Sequence, residues 1–173
     1  MKKGFTLIEL LVVIAILAVL ATAVVIILNP AELLKQGRDS TRLSDLSALQ
    51  SSIALYLSDV ASPSMPNTNN CTNGTTSPFV VAVCVENANT TVGGAGWVAV
   101  DFSAISSGSP LSRLPLDPTN DAINYYAYAA DLATLTYEID ANLESAKFIP
   151  KEANASDGGN NLNWYEVGSS LVR

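Results

Sequence analysis

From Leu10 to Leu28 the chain runs without a charge, and nothing in that run is more polar than Thr22. A window of about 20 apolar residues matches the hydrocarbon core of a bilayer. A transmembrane helix is therefore predicted from Phe5 to Leu28. Glu9, near the start of this segment, is the informative exception. An ionised side chain at the bilayer centre costs about 2.5–3.5 kcal/mol on insertion scales, and less near the edge, so it calls for a partner. The nearest candidate is a free amino group.

Two other readings of the N-terminus exist. Lys2 and Lys3, the apolar run and Ala21-Thr22-Ala23 have the form of a secretory signal peptide with a small-x-small cleavage site. Glu9 fits that form poorly, and the apolar run continues through Val24 to Leu28, past the cut. In the second reading the segment is a plain signal anchor whose Glu9 rests at headgroup level.

Lys2-Lys3-Gly4 followed by Phe5-Thr6-Leu7-Ile8-Glu9-Leu10-Leu11-Val12-Val13-Ile14 resembles the class III signal of type IV pilins and type II secretion pseudopilins. The resemblance implies cleavage between Gly4 and Phe5 by a prepilin peptidase on the cytoplasmic side, then N-methylation of Phe5. Such a cut removes the basic leader and leaves the helix attached to the rest of the chain. Phe5, now carrying a basic amine, and Glu9 lie four residues apart on one helix face. The first-turn carboxylate also faces the positive end of the helix dipole. In a staggered stack of helices, Glu9 of one subunit can meet the Phe5 nitrogen of the next. The resemblance further implies a homo-oligomeric helical filament, an inner-membrane assembly platform, and residence in the membrane before assembly. The place of work is then an extracellular pilus, or the periplasm for a pseudopilin.

Past the apolar run, Asn29-Pro30-Ala31-Glu32 reads either as a helix restart, with Asn29 as cap and Pro30 in the first turn, or as a proline kink in one helix. From Ala31 to about Val60 the pattern turns amphipathic. Leu43, Leu46, Leu49, Ile53, Tyr56 and Val60 form a stripe suited to packing on a sheet. Lys35, Arg38, Asp39, Arg42, Asp45 and Asp59 fall mainly elsewhere and read as a solvated face, with subunit contacts as the alternative.

The polar segment from Ser62 to about Pro78 reads as a surface loop. It and its surroundings carry N-x-S/T triplets at Asn70, Asn73, Asn89 and Asn154 that chance explains in a chain rich in Asn and Thr, with glycosylation as the alternative. Strand signals appear at Phe79–Val85, Trp97–Phe102, Ile123–Ala129 and Leu135–Ile139. The expected fold is α+β and type IV pilin-like: a long N-terminal helix, transmembrane in its first half and amphipathic in its second, packed on a small antiparallel sheet of three or four strands. The expected organisation is a leader over 1–4, a hydrophobic transmembrane and assembly helix over 5–29, an amphipathic helix over 30–60 and a β-rich globular domain over 61–173.

Cys71 and Cys84 are the only cysteines. The membrane segment delivers the downstream chain to an oxidising compartment, so a disulfide between them is expected, contributing about 3 kcal/mol in the chain-entropy model. Two buried thiols are the alternative. With no histidine in the chain a zinc site is not expected.

Leu114-Pro115-Leu116-Asp117-Pro118, Tyr125-Tyr126-Ala127-Tyr128 and Tyr137-Glu138-Ile139 are similar, more loosely, to the major pseudopilin branch. In that branch a C-terminal loop often binds calcium through aspartates and backbone carbonyls. Asp157-Gly158-Gly159-Asn160-Asn161 has oxygen ligands and turn glycines but not the dense aspartates of such a site. It reads as a loop, calcium stays a possibility for the chain, and no metal residue is named.

Catalysis finds no support in motifs: there is no histidine, no activated nucleophile and no phosphate-binding loop. Asp117 and Asp121 are the one pair of close carboxylates weighed for acid–base work, and their context reads as a turn. Sixteen acidic against nine basic residues give a net charge of −7, which disfavours general nucleic-acid binding. Two function classes remain. One is a structural subunit, either a pilin or a pseudopilin. The other is a membrane-anchored extracytoplasmic binding module that does not polymerise.

Overall fold

The structure, a computed structural model, describes residues 4–74, 76–79, 83–152 and 157–171. The chain divides into two compact units, Met1–Lys35 and Gln36–Arg173.

In the first unit, α1 spans Leu7–Leu28 and none of its residues is buried. Its 22 residues rise about 33 Å, close to the thickness of the hydrocarbon core. The hydroxyl of Thr22, the most polar group in the run, donates to the Ala18 carbonyl at 2.9 Å and is thus satisfied within the helix. Asn29 ends α1 in the left-handed conformation, with φ 41°. Asparagine tolerates this region better than most side chains. Pro30 then opens α2 (Pro30–Asp59), where its missing N–H costs nothing. Glu32 and Leu33 donate their amides to the Asn29 carbonyl. Of the two sequence readings, the restart is the one observed.

The second unit holds a five-stranded sheet: β1 (Thr68–Cys71), β2 (Val85–Glu86), β3 (Tyr126–Asp131), β4 (Thr136–Asn142) and β5 (Trp164–Gly168), in the order β2-β1-β3-β4-β5. All neighbours are antiparallel except β1 and β2. The layout is α+β. Side chains alternate across the sheet as the strand period requires. Tyr126 and Tyr128 of β3 and Ile139 of β4 join Leu46, Leu49, Ile53 and Tyr56 of α2 in the main core. The opposite face carries a smaller cluster of Cys71, Cys84, Phe79, Tyr125, Ala127 and Ala129. Cys71 and Cys84 form a disulfide there, with Cα atoms 5.6 Å apart.

Several local expectations are corrected. The polar segment after α2 contains β1, because its backbone pairs with β3 whatever its side chains prefer. Trp97–Phe102 is not a strand; it is an irregular segment ending in a 3-10 turn, Phe102–Ala104. Its consecutive Trp97 and Val98 are both buried, which no flat strand with one buried face allows. Side chains tie it down: Asn89 Nδ2 donates to the Ala95 carbonyl at 3.1 Å and Asn70 Nδ2 to the Trp97 carbonyl at 2.9 Å. Gly96 belongs to this packing, since a Cβ there would lie 2.2 Å from the Thr91 carbonyl oxygen. Of the run Phe79–Val85, only Val85 enters a strand, and residues 80–82 lie outside the described residues. The strand β5 falls in none of the four runs predicted as strands.

Candidate functional site

Thr6 has extended backbone and caps α1. Its hydroxyl accepts from the Glu9 amide at 3.3 Å, and the Glu9 carboxylate accepts from both the amide and the hydroxyl of Thr6 at 2.8 Å. This reciprocal capping box satisfies amides that the first helical turn leaves open. The residues that carry the resemblance therefore also start the helix. Phe5 is 89% exposed, and a side chain added at Gly4 would meet nothing of this chain within 4 Å. Lys2 and Lys3 lie outside the described residues, as does the Asn154 triplet.

Around Glu9 stands a helix that is apolar on every side. Such a helix is stable in water only when something covers it. By length and composition the stretch holds a window able to cross a membrane.

In the second unit, the charged face of α2 is not simply solvated. Asp39 and Arg42 are fully buried. Arg42 Nε and Nη2 donate to the two oxygens of Asp117 at 2.6 and 2.9 Å, and its Nη1 donates to Asp39 at 2.8 Å and Glu144 at 2.6 Å. Arg38 makes a second two-pronged contact to Glu144. Burial alone would lower the Arg42 pKa, but the hydrogen bonds that it donates to Asp117, Glu144 and Asp39 outweigh this and the pKa is raised. Burial likewise opposes the charge of Asp117, yet Arg42 and Thr119 hold its pKa down. Glu144 is pulled down to about 2, first by its hydrogen bond from Arg38. Asp45 accepts from the Tyr126 hydroxyl at 2.8 Å. A signal for this network existed: Asp39, Arg42, Leu46, Leu49, Ile53 and Tyr56 continue one stripe at alternating steps of three and four.

Asp117 and Asp121 do not form an acid–base pair. Asp117 is held by Arg42 and by the Thr119 and Asn120 amides. Asp121 accepts from the Ile123 and Asn124 amides as a local turn. Asn70, in one of the N-x-S/T triplets, is buried and bonded to Trp97.

Glu138, Asp140 and Glu166, which no sequence motif marks as ligands, come together on the face opposite α2. The loop Asp157–Asn161 folds against them: Asp157 accepts from the Glu166 amide at 2.9 Å, and the Asn161 amide donates to Glu166 at 3.2 Å.

Residues 1–25 match the family model described as the prokaryotic N-terminal methylation motif. No curated protein and no solved structure matches the chain. The motif implies processing by a prepilin peptidase. Together with the apolar helix it points to a membrane-anchored precursor. The Glu9 capping box, the uncovered apolar helix and the matched motif thus coincide in one segment, and the chain carries the class III signal peptide of type IV pilins and pseudopilins.

Proposed function

We propose that this chain is a structural pilin. A prepilin peptidase cuts it between Gly4 and Phe5, Phe5 is N-methylated, and α1 then drives polymerisation into an extracellular type IV pilus. The observation that carries this reading is α1 itself: none of its residues is buried, and its single acid lies four residues along the chain from the new amine, which precedes the Thr6 cap. In the membrane, lipid covers the helix. In a filament, other copies do, and Glu9 of one copy neutralises the Phe5 amine of its neighbour. The chain acts as a scaffold and performs no catalysis, and its acidic domain does not bind nucleic acid in general.

A pseudopilin of a type II secretion system would share the signal and the helix. The disulfide and the polar Asn- and Thr-rich segment support the cell-surface pilus. Electron microscopy of surface filaments, with the subunit identified by mass spectrometry, distinguishes the two. The same mass spectrum reads the terminus: a methylated Phe5 is expected, and an intact Met1 would favour a non-polymerising anchor.

Two substitutions test the mechanism. Glu9→Leu removes the acid without shortening the apolar run, so membrane insertion is expected to persist while filament yield collapses. Filaments at normal yield would remove the pairing from the account. Gly4→Leu is expected to leave the precursor uncut, because the signal that the chain resembles is cut after a glycine, and a band of mature size would contradict this.

A further inference from the structure

We propose that the sheet face opposite α2 contains a divalent-cation site, suited to calcium, made by the carboxylates of Glu138, Asp140 and Glu166.

Strand alternation puts Tyr137, Ile139 and Ala141 of β4 and Val167 of β5 into the main core. Glu138, Asp140 and Glu166 consequently face the other way. Register sets Asp140 directly opposite Glu166, a pairing of like charges that destabilises a sheet unless something intervenes. All three side chains are buried, and one oxygen from each lies within 4.8 Å of the others. On β3 their cross-strand neighbours are Ala127 and Ala129, whose small side chains leave room.

Acidic clustering alone does not make a site. The second observation is Asp140. It is fully buried, and neither of its carboxylate oxygens has a hydrogen-bond partner among the described residues. A buried carboxylate ordinarily accepts several hydrogen bonds, so two orphaned oxygens inside a cluster of acids point to a ligand that supplies positive charge. The covering loop is fitted to the site. Gly159 approaches so closely that a Cβ there would fall 1.4 Å from Glu166 Oε2.

An all-carboxylate donor set selects a hard cation over zinc or copper. Calcium binds oxygens at about 2.3–2.6 Å, so ligands on opposite sides of it stand about 5 Å apart, whereas magnesium draws them to about 4 Å. The three oxygens, all within 4.8 Å of one another, fall inside the span that a calcium ion allows. The ligands are strand side chains, unlike a loop of aspartates and carbonyls, and the loop here only covers them. This site does not depend on whether the chain forms a pilus.

The test uses the full chain in detergent, stripped with EGTA and titrated at neutral pH with calcium chloride alone, then with magnesium chloride alone. Calorimetry is expected to show one site per chain, saturating by about 1 mM calcium, the range of extracellular calcium modules. Thermal melting is expected to rise by about 5 °C or more on saturation, with a smaller rise in magnesium. Asp140→Asn and Glu166→Gln should each lose the calcium-dependent rise while still melting cooperatively in EGTA. Absence of binding heat and of any melting shift at about 10 mM calcium would overturn the proposal, even if both variants failed to fold. So would an Asp140→Asn protein that keeps the full calcium response.

Discussion

The two faces of the sheet bury the same kind of group under opposite conditions. On the α2 side, Asp39, Asp117 and Glu144 converge on Arg42, whose planar guanidinium can serve several carboxylates at once. On the other side, Glu138, Asp140 and Glu166 converge on one another. Burial, then the charges of Glu138, Glu166 and Asp157, push the Asp140 carboxyl well above the ordinary range. Burial itself is therefore not what decides the state of an acid in this protein. The decisive factor is whether the fold brings a cation to it.

Arg42 offers the largest effect with which to break that comparison. Arg42→Ala strands Asp39 and Asp117 in a buried setting, and removing one partner of a buried ion pair costs about 3–5 kcal/mol. Arg42→Lys is expected to recover only part of this, since an ammonium lacks the fork that grips Asp117. Denaturant unfolding of the full chain in detergent measures both. An Arg42→Ala protein as stable as wild type would show that the pairs contribute nothing.

Asp140 provides the converse and somewhat smaller test. In EGTA, Asp140→Val is expected to stabilise the chain by about 1–3 kcal/mol, because it removes an unsatisfied buried acceptor and suits a strand. Destabilisation in EGTA would mean that the chain already satisfies this acid.

Acid titration separates the faces by sign. Glu144 has a folded pKa of about 2 against an ordinary 4.5. Its contribution is present above pH 4.5 and is lost as the pH falls towards about 2. Asp140 is raised above its ordinary 3.8, so it favours folding at low pH and its contribution is lost as the pH rises through its folded value. Melting curves between about pH 2 and 6 in EGTA are expected to flatten at the acid end in Glu144→Gln. An unchanged profile in that variant would assign the acid limb elsewhere.

Much of this is legible locally. The apolar run and its lone acid lie within a few turns of one helix, where spacing alone specifies the pattern. Leu46, Leu49, Ile53 and Tyr56 likewise appear as a stripe because a helix repeats its faces at short range. Read for apolar residues, the stripe stops at Leu43, because charged side chains normally face water, whereas Asp39 and Arg42 continue it into the core. Their remaining partners, Asp117 and Glu144, stand 75 and 102 residues further along from Arg42. No local window contains both ends of such a contact. Trp97–Phe102 misleads for a related reason: its side chains are buried by distant neighbours, while side-chain amides and one bridge between Gly93 and Asp101 hold the backbone around it outside the main sheet.

By itself, the sequence determined the N-terminal methylation motif over residues 1–25, the membrane-length helix with Glu9 near its start, and the α+β class, all of which are carried by patterns within short stretches. Only the tertiary structure decided which buried acids receive Arg42 and which are left to one another on β4 and β5. That choice depends on strand order and register, and these arise from packing the whole chain at once, where the partner of a charge is chosen by position in space and not by distance along the chain.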